Sequence, residues 1–365
     1  MTGAQLRILY IAYPLLTVSE ASAGGAEQML WTLEHEMAAR GALTTVAASA
    51  GSKSTGELFS TGDPCREADD FERRNHEHQE RIITLVRQRA QEGRRFDLIH
   101  DESGSFWTRA AEVDVPVLAT LHLPRSFYPP EVFQKVPENV SFNCVSESQA
   151  RSFSDVEQML GVVRNGISLE RFRPNDERRN GLLWLGRICE EKAPHLALEI
   201  AGCAARPITL AGQVYPFSYH QQYFAREIAP RLQRMPGVDL ILSPSAELKR
   251  QLLRQAGALL ITSQVDETSS LVAMEAAASG TPVIAFGRGA IPEVVKNEAT
   301  GFVVQTVEEA ICALSRLPRV EPGVCTRFAM ENFSSVTMAG RYAALYTEVM
   351  QKRALVSAGQ GSESR

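Results

Sequence analysis

Short apolar runs alternate with helical stretches almost from one end of this chain to the other, and that order constrains the fold more than any single motif. A strand, a helix and a second strand close most readily as a βαβ unit, so the pattern predicts parallel sheets covered by helices. The first strand is predicted over about 6–13. The next helix starts near Gly25, carries Ala26, Met29, Leu30, Leu33 and Met37 at helical spacing, and stops at Gly41. Thr44–Ser49, Phe96–His100, Val115–His122 and Ser141–Val145 follow as strands. Residues 50–68, rich in Ser, Gly and Thr, read as a flexible loop. Asp69–Gly93 reads as a long polar helix buried through Ile82, Ile83, Val86 and Ala90.

The pattern restarts at Gly181. Gly181–Arg187 is a strand, and a helix opens at Pro194, a residue suited to the first helical turn. Further strands fall near 207–211, 238–242, 258–262, 282–286 and 301–304. The polar stretch Pro174–Asn180 lies between the two series and predicts the hinge. Two α/β domains are therefore expected, 1–174 and 175–333, in a chain of 365 residues that is too long for one doubly wound sheet. A last helix over about 335–351 can pack on either domain, and a disordered tail is predicted over 355–365.

Composition narrows the function classes. A net charge of -5 argues against a nucleic-acid partner. None of the six cysteines forms a CxxC pair or shows metal-ligand spacing with a His, so free thiols in a reducing, cytoplasmic setting are expected. Leu6–Val18 followed by Ala21-Ser22-Ala23 resembles a secretion leader, but Pro14 and the scarcity of positive charge favour a buried first strand. No run reaches the roughly 18 apolar residues of a membrane span. Arg73, Arg74, Arg87, Arg89, Arg94 and Arg95 could touch an anionic membrane or an acceptor. They are interleaved with acids, which favours a solvated helix face.

The stretch Glu267-Thr268-Ser269-Ser270-Leu271-Val272-Ala273-Met274-Glu275 carries the most chemistry. It follows a strand, and Thr268 or Ser269 is predicted to cap a helix that ends at Gly280. Glu267 then lies at the helix mouth and Glu275 about two turns inside. Two carboxylates at the carboxyl end of a parallel strand suit a ligand rich in hydroxyls, and free amides at the helix start suit a phosphate. The same residues could instead be a helix-dipole partner and a solvated surface Glu. Arg187 at a strand end and Lys192 before the next helix would supply two cations on that edge, enough for a diphosphate; a pair of surface cations is the plainer alternative. Gly24-Gly25-Ala26-Glu27 opens the first helix, where paired glycines permit close backbone approach. His122 and His100 end strands on the same side of their sheet, His122 being the better placed to meet a sugar or reacting hydroxyl. Neither GxGxxG nor a Walker sequence is present, which counts against NAD and ATP.

These residues resemble family 4 of the GT-B glycosyltransferases over nearly the whole chain. Glu267–Glu275 with Ala276-Ala277-Ala278-Ser279-Gly280-Thr281-Pro282-Val283-Ile284-Ala285 matches the family's EX7E motif and the helix and strand after it. Gly186-Arg187 with Glu191-Lys192 looks like its phosphate-binding pair. Gly24-Gly25-Ala26-Glu27 looks like its N-terminal glycine loop, and Arg164-Asn165-Gly166-Ile167 is similar to the approach to its interdomain linker. The resemblance implies two Rossmann-like domains facing across a cleft, with the final helix returning to the first domain. It implies a retaining, metal-independent hexosyl transfer with no cofactor, the nucleotide-sugar (most commonly a UDP-sugar) being a co-substrate. Glu275 would bind ribose and Glu267 the transferred sugar. Arg187 and Lys192 would hold the diphosphate, aided by backbone near Gly24 and Gly25 and by Ser269, Ser270 and Leu271, with His122 beside the sugar. His122, Arg187, Lys192 and Glu267 are thus the expected catalytic set. The implied acceptor is a small metabolite, a lipid or a glycan, with peripheral membrane contact if it is a lipid. Thr268-Ser269-Ser270 departs from the Pro or Gly and aromatic residue usual after the first Glu. A non-catalytic nucleotide-sugar binder and a nucleotide-sugar 2-epimerase are the competing classes.

Overall fold

A computed structural model describes residues 5–22, 24–65, 70–174 and 181–362, with side chains through Arg353. The chain forms two units, Met1–Arg164 with Ser335–Arg365, and Asn165–Ser334. The predicted hinge lies outside the described residues from 175 onward, as does the end of the predicted tail from 363.

The first unit is built on strands β1 (Arg7–Ile11), β2 (Leu43–Ala48), β3 (Glu57–Ser60), β4 (Leu98–Asp101), β5 (Val117–Leu121), β6 (Val140–Cys144) and β7 (Met159–Val162). They form one parallel sheet in the order β3-β2-β1-β4-β5-β6-β7. Helices α1 (Gly25–Ala39), α2 (Phe71–Gln91) and α3 (Glu147–Ser152) connect them. The predicted loop 50–68 contains β3, and β7 was not foreseen. Both are short edge strands, mostly exposed or half-buried; β3 has only Leu58 and Phe59 as apolar residues, and Gly161 interrupts the apolar stretch of β7. On α2 the buried stripe holds Ile82, Ile83, Leu85 and Val86, while Ala90 is exposed in the last turn, beyond the cover of the sheet. Among the arginines of α2, Arg73 and Arg74 pair with Glu77 at 2.6 and 2.8 Å and Arg89 pairs with Glu57.

The second unit has strands β8 (Leu182–Arg187), β9 (Ile208–Gln213), β10 (Val238–Leu242), β11 (Ala258–Ile261), β12 (Val283–Phe286) and β13 (Gly301–Val304). Its parallel sheet runs β10-β9-β8-β11-β12-β13. Counted from β8, this is the doubly wound order 3-2-1-4-5-6, which reverses between β8 and β11. Its helices are α4 (Pro194–Cys203), α5 (Ser218–Tyr223) and α6 (Ala229–Arg234), with the π-helical Phe224–Ile228 joining the last two, then α7 (Ala246–Gln255), α8 (Leu271–Ala278), α9 (Ile291–Val294), α10 (Val307–Leu314) and α11 (Pro322–Asn332). Leu182 and Trp184 pack into the core on one face of β8, and Leu183 and Leu185 into the core on the other. Both faces are covered, so the strand reads as a continuous apolar run.

The last helix, α12 (Ser335–Ser362), belongs to the first unit and is helical past the predicted start of the tail. It packs against α1 and β5. Ser335 bonds Glu36 at 2.6 Å, and the buried Tyr346 hydroxyl meets Tyr10 at 3.2 Å and His100 Nδ1 at 2.7 Å. These bonds satisfy phenols that would be costly to bury alone. Among the described residues no helix is long and apolar enough to cross a membrane.

Candidate functional site

In the second unit the strand order reverses between β8 and β11, and a doubly wound sheet opens a crevice beyond the carboxyl ends of its strands there. β8 delivers Arg187 to that edge, its guanidinium lying over the Tyr215 ring at 5.4 Å from the centroid. The chain then turns through Cys189–Lys192 to α4. Ala193, the residue before α4, holds a left-handed conformation (φ 46°) that costs a side-chain-bearing residue about 1 kcal/mol or more. The residues after β11 hold the turn in place. Thr262 Oγ1 donates to the carbonyls of Lys192 and Ala193 at 3.1 and 2.8 Å, and Gln264 N donates to Glu191 O at 2.8 Å.

Lys192 is thereby brought to Glu267, with Nζ 2.5 Å from Oε1. Glu267 is buried, and its backbone is clasped from behind. Ala290 N donates to Glu267 O at 2.7 Å, and a Cβ added to Gly289 (φ +57°) would lie 2.3 Å from that oxygen. Only glycine fits so close a backbone approach in a left-handed conformation. α8 starts at Leu271, later than the sequence predicts. Its cap position is Ser270 rather than Thr268 or Ser269, and the Ser270 side chain makes no capping bond. The amides at the mouth of α8 are thus not capped by Ser270, and a helix start of this kind suits an anion. Ser269 Oγ is buried without a hydrogen-bond partner.

Glu275 lies about one turn into α8, not two, and it is buried rather than solvated. One oxygen accepts from Lys249 Nζ of α7 at 2.6 Å, while Oε2 is buried with no partner. A carboxylate charge-compensated on one side and unsatisfied on the other is prepared to accept hydrogen bonds from ligand hydroxyls. The second unit thus brings Arg187, Lys192, Glu267, Ser269, Ser270, Leu271 and Glu275 onto a strand end, the adjoining loops and the first turns of α8.

Gly24, Gly25 and His122 belong to the first unit. Gly24 caps α1, and the Glu27 side chain folds back over it; a Cβ on Gly24 would fall 1.9 Å from Glu27 Oε2. The glycine pair here admits a carboxylate from its own helix to the helix N-terminus. His122 follows β5, and its Nε2 is bonded to the buried carboxylate of Glu102, which follows β4. His100 lies 3.3 Å from the same carboxylate. Burial pushes the Glu102 carboxyl up, but His100 and His122 outweigh it and hold it below the usual range. Burial pushes His100 down to about 4, so it is neutral at pH 7. Burial also raises Asp101 to about 6, although Ser103 and Trp107 N–H groups donate to it.

Sequence reasoning missed Lys249, Gly289 and Glu102. Lys249 and Gly289 carry no local signal, since each reaches its partner across a βα unit. Glu102 had one, because it directly follows a strand ending, as His122 does. The structure also gathers Cys189, Glu191 and His220, whose ligating atoms lie within 4.8 Å of one another.

Residues 168–316 match the model of the family described as glycosyl transferases group 1. Among relatives, the chain is similar to D-inositol 3-phosphate glycosyltransferases. It is 30% identical to that of Streptomyces avermitilis over 53% of this chain and 47% of that one, and 32% identical to that of Geodermatophilus obscurus over 40% and 36%. The matched region thus spans about half the length of these relatives or less. Solved structures are similar over almost the full chain. AviGT4, a glycosyltransferase involved in avilamycin A biosynthesis, has a TM-score of 0.70 at 22% identity, covering 95% of this chain and 98% of that one. Anabaena HepE in complex with UDP-glucose has a TM-score of 0.74 at 14% identity, covering 94% and 100%. The fold and the family match converge on the unit that holds Glu267 and Glu275: residues 168–316, less than half of the chain, resemble the group 1 glycosyl transferases, and the two parallel sheets share the GT-B fold of the solved glycosyltransferases.

Proposed function

We propose that this chain is a retaining, metal-independent glycosyltransferase that moves a hexosyl group from a nucleotide-sugar, a UDP-sugar, to an acceptor hydroxyl. One observation carries the reading. Within the family match, the reversal point of the second sheet holds two buried carboxylates, each already paired with a lysine, and one of them keeps an unsatisfied oxygen. The names of the relatives agree in class, and HepE was solved with UDP and with UDP-glucose.

In this reading the second unit binds the donor. Glu275 accepts from the ribose hydroxyls, and Glu267 accepts from the sugar. Arg187, Lys192 and the amides at Ser269, Ser270 and Leu271 hold the diphosphate. The first unit, with its returning helix α12, reads the acceptor, a small metabolite, lipid or glycan; His122 and the backbone at Gly24 and Gly25 serve from that side. The acceptor oxygen bonds to the anomeric carbon on the face the diphosphate leaves. The carbon–oxygen bond to phosphate breaks, and the acceptor proton passes to the departing phosphate oxygen. Arg187 and Lys192 stabilise the charge that grows there. A cytoplasmic site of action, peripheral at the membrane for a lipid acceptor, agrees with six cysteines that form no disulfide with one another.

Calorimetry with UDP and UDP-sugars on wild type and Glu275→Gln tests the assignment. A charge-assisted hydrogen bond contributes about 1.5–3 kcal/mol, so UDP affinity should fall by about 10- to 100-fold. Unchanged affinity removes Glu275 from the ribose site. Saturable UDP-sugar binding with neither hydrolysis nor transfer to any acceptor class would leave a binding protein in place of an enzyme.

A further inference from the structure

The cluster of Cys189, Glu191 and His220 is not used by the chemistry above. Cys189 and Glu191 share the turn after β8, and His220 comes from α5, so the fold and not the local sequence unites them. Cys189 and His220 are fully buried, and Glu191 is partly so. Neither ring nitrogen of His220 has a hydrogen-bond partner, and Glu191 Oε2 is buried and unpartnered as well. A buried imidazole normally satisfies at least one nitrogen. Tyr215, Phe217 and Tyr219 surround this ring at centroid distances of 5.7, 5.5 and 4.2 Å, which restrains its orientation. Cys189 Sγ lies 3.5 Å from Arg187 O, and Glu191 is anchored through its carbonyl by Gln264 N at 2.8 Å.

We propose that Cys189, Glu191 and His220 form a binding site for a zinc-class divalent ion. One thiolate, one imidazole and one carboxylate are the mixed ligand set that such an ion takes, whereas calcium and magnesium prefer oxygen alone. Zinc bonds of about 2.0–2.3 Å place tetrahedral ligand atoms roughly 3.5 Å apart. Atoms within 4.8 Å of one another need to close by no more than about 1.3 Å to reach that spacing. Three protein ligands leave a fourth position for water or an anion. Arg187 is close enough to bear on all three side chains, and its charge opposes a second cation. The thiolate and the carboxylate bring two negative charges that offset the ion's, and binding releases the thiol proton to solvent. Occupancy would tie α5 to the turn that runs from Arg187 to Lys192 and restrain that turn.

Cobalt(II) chloride titrated into the chelator-treated full-length protein tests the site, in the absence of nucleotide, so the outcome does not depend on the transferase reading. One equivalent per chain should give a thiolate-to-cobalt charge-transfer band with tetrahedral d–d bands, displaced by zinc chloride. Cys189→Ser should abolish the charge-transfer band, and His220→Gln should weaken cobalt affinity roughly tenfold or more while the far-ultraviolet circular dichroism stays unchanged. His220→Gln, close in volume, serves if Cys189→Ser does not fold. Absence of the band from the wild type overturns the proposal. So does a band that survives His220→Gln at full affinity, or one lost with the exposed thiols in Cys203→Ser or Cys312→Ser.

Discussion

Lys249→Met isolates the energetic cost of holding Glu275 ready for a ligand. In the native protein the Lys249 ammonium sits 2.6 Å from Glu275 Oε1, with side-chain exposures of 15% and 6%. Glu275 Oε2 has no partner, so the lysine is the only side-chain cation bonded to this carboxylate among the described residues. Methionine keeps the length and the apolar stem but removes the charge. It leaves a buried carboxylate without compensation, a change that costs about 3–5 kcal/mol. For a domain of 150–250 residues each kcal/mol lowers Tm by about 2–4 °C, so the second unit should melt roughly 6–20 °C lower. Differential scanning calorimetry without ligand measures this. Lys249→Met combined with Glu275→Gln removes both charges and should recover most of the loss. UDP should raise the melting temperature of Lys249→Met more than that of wild type, because ribose hydroxyls supply donors that the orphaned carboxylate lacks. A fall of less than about 3 °C would show that Lys249 does not compensate Glu275. A double variant no more stable than Lys249→Met would assign the loss to packing of the lysine stem instead.

Two further predictions concern the first unit. Glu102→Gln removes the carboxylate that holds the His122 ring, so donor turnover should fall by about 10- to 100-fold in kcat with little change in donor KM. Nitrogen NMR of the imidazoles should show altered His122 resonances in the folded variant, and unchanged resonances and kcat would remove Glu102 as a positioning residue. Acidification should destabilise this unit between about pH 6.5 and pH 4. Burial holds His78 and His100 down to about 4, below their unfolded value, so the stability present above pH 6.5 is lost as pH falls, about 3 kcal/mol apiece. Asp101, raised to about 6, works in the opposite direction with one similar contribution, leaving a net loss of about 3 kcal/mol. Urea midpoints at pH 7 and 4.5 for wild type and His78→Asn measure it, and a midpoint independent of pH would refute the sign.

Local sequence was enough to read the two parallel sheets, the strand ends at Arg187 and beside His122, and the loops that carry Lys192 and Glu267 ahead of the Glu275 helix. Apolar periodicity and strand-to-helix succession are properties of a few consecutive residues, so no tertiary contact is needed to read them. The edge strands β3 and β7 escaped notice because each is only four residues long and is placed by pairing with a neighbouring strand, β3 lacking apolar alternation and β7 being broken by Gly161. The remaining relations arise only once the chain is folded. Folding buried Glu275 and chose Lys249 as its partner, set Gly289 behind Glu267, put Glu102 under His122, and gathered Cys189, Glu191 and His220 at one point. Each of these relations joins residues from different βα units. Which side chains meet there depends on how the sheet orders its strands, and a short stretch of sequence does not encode that order.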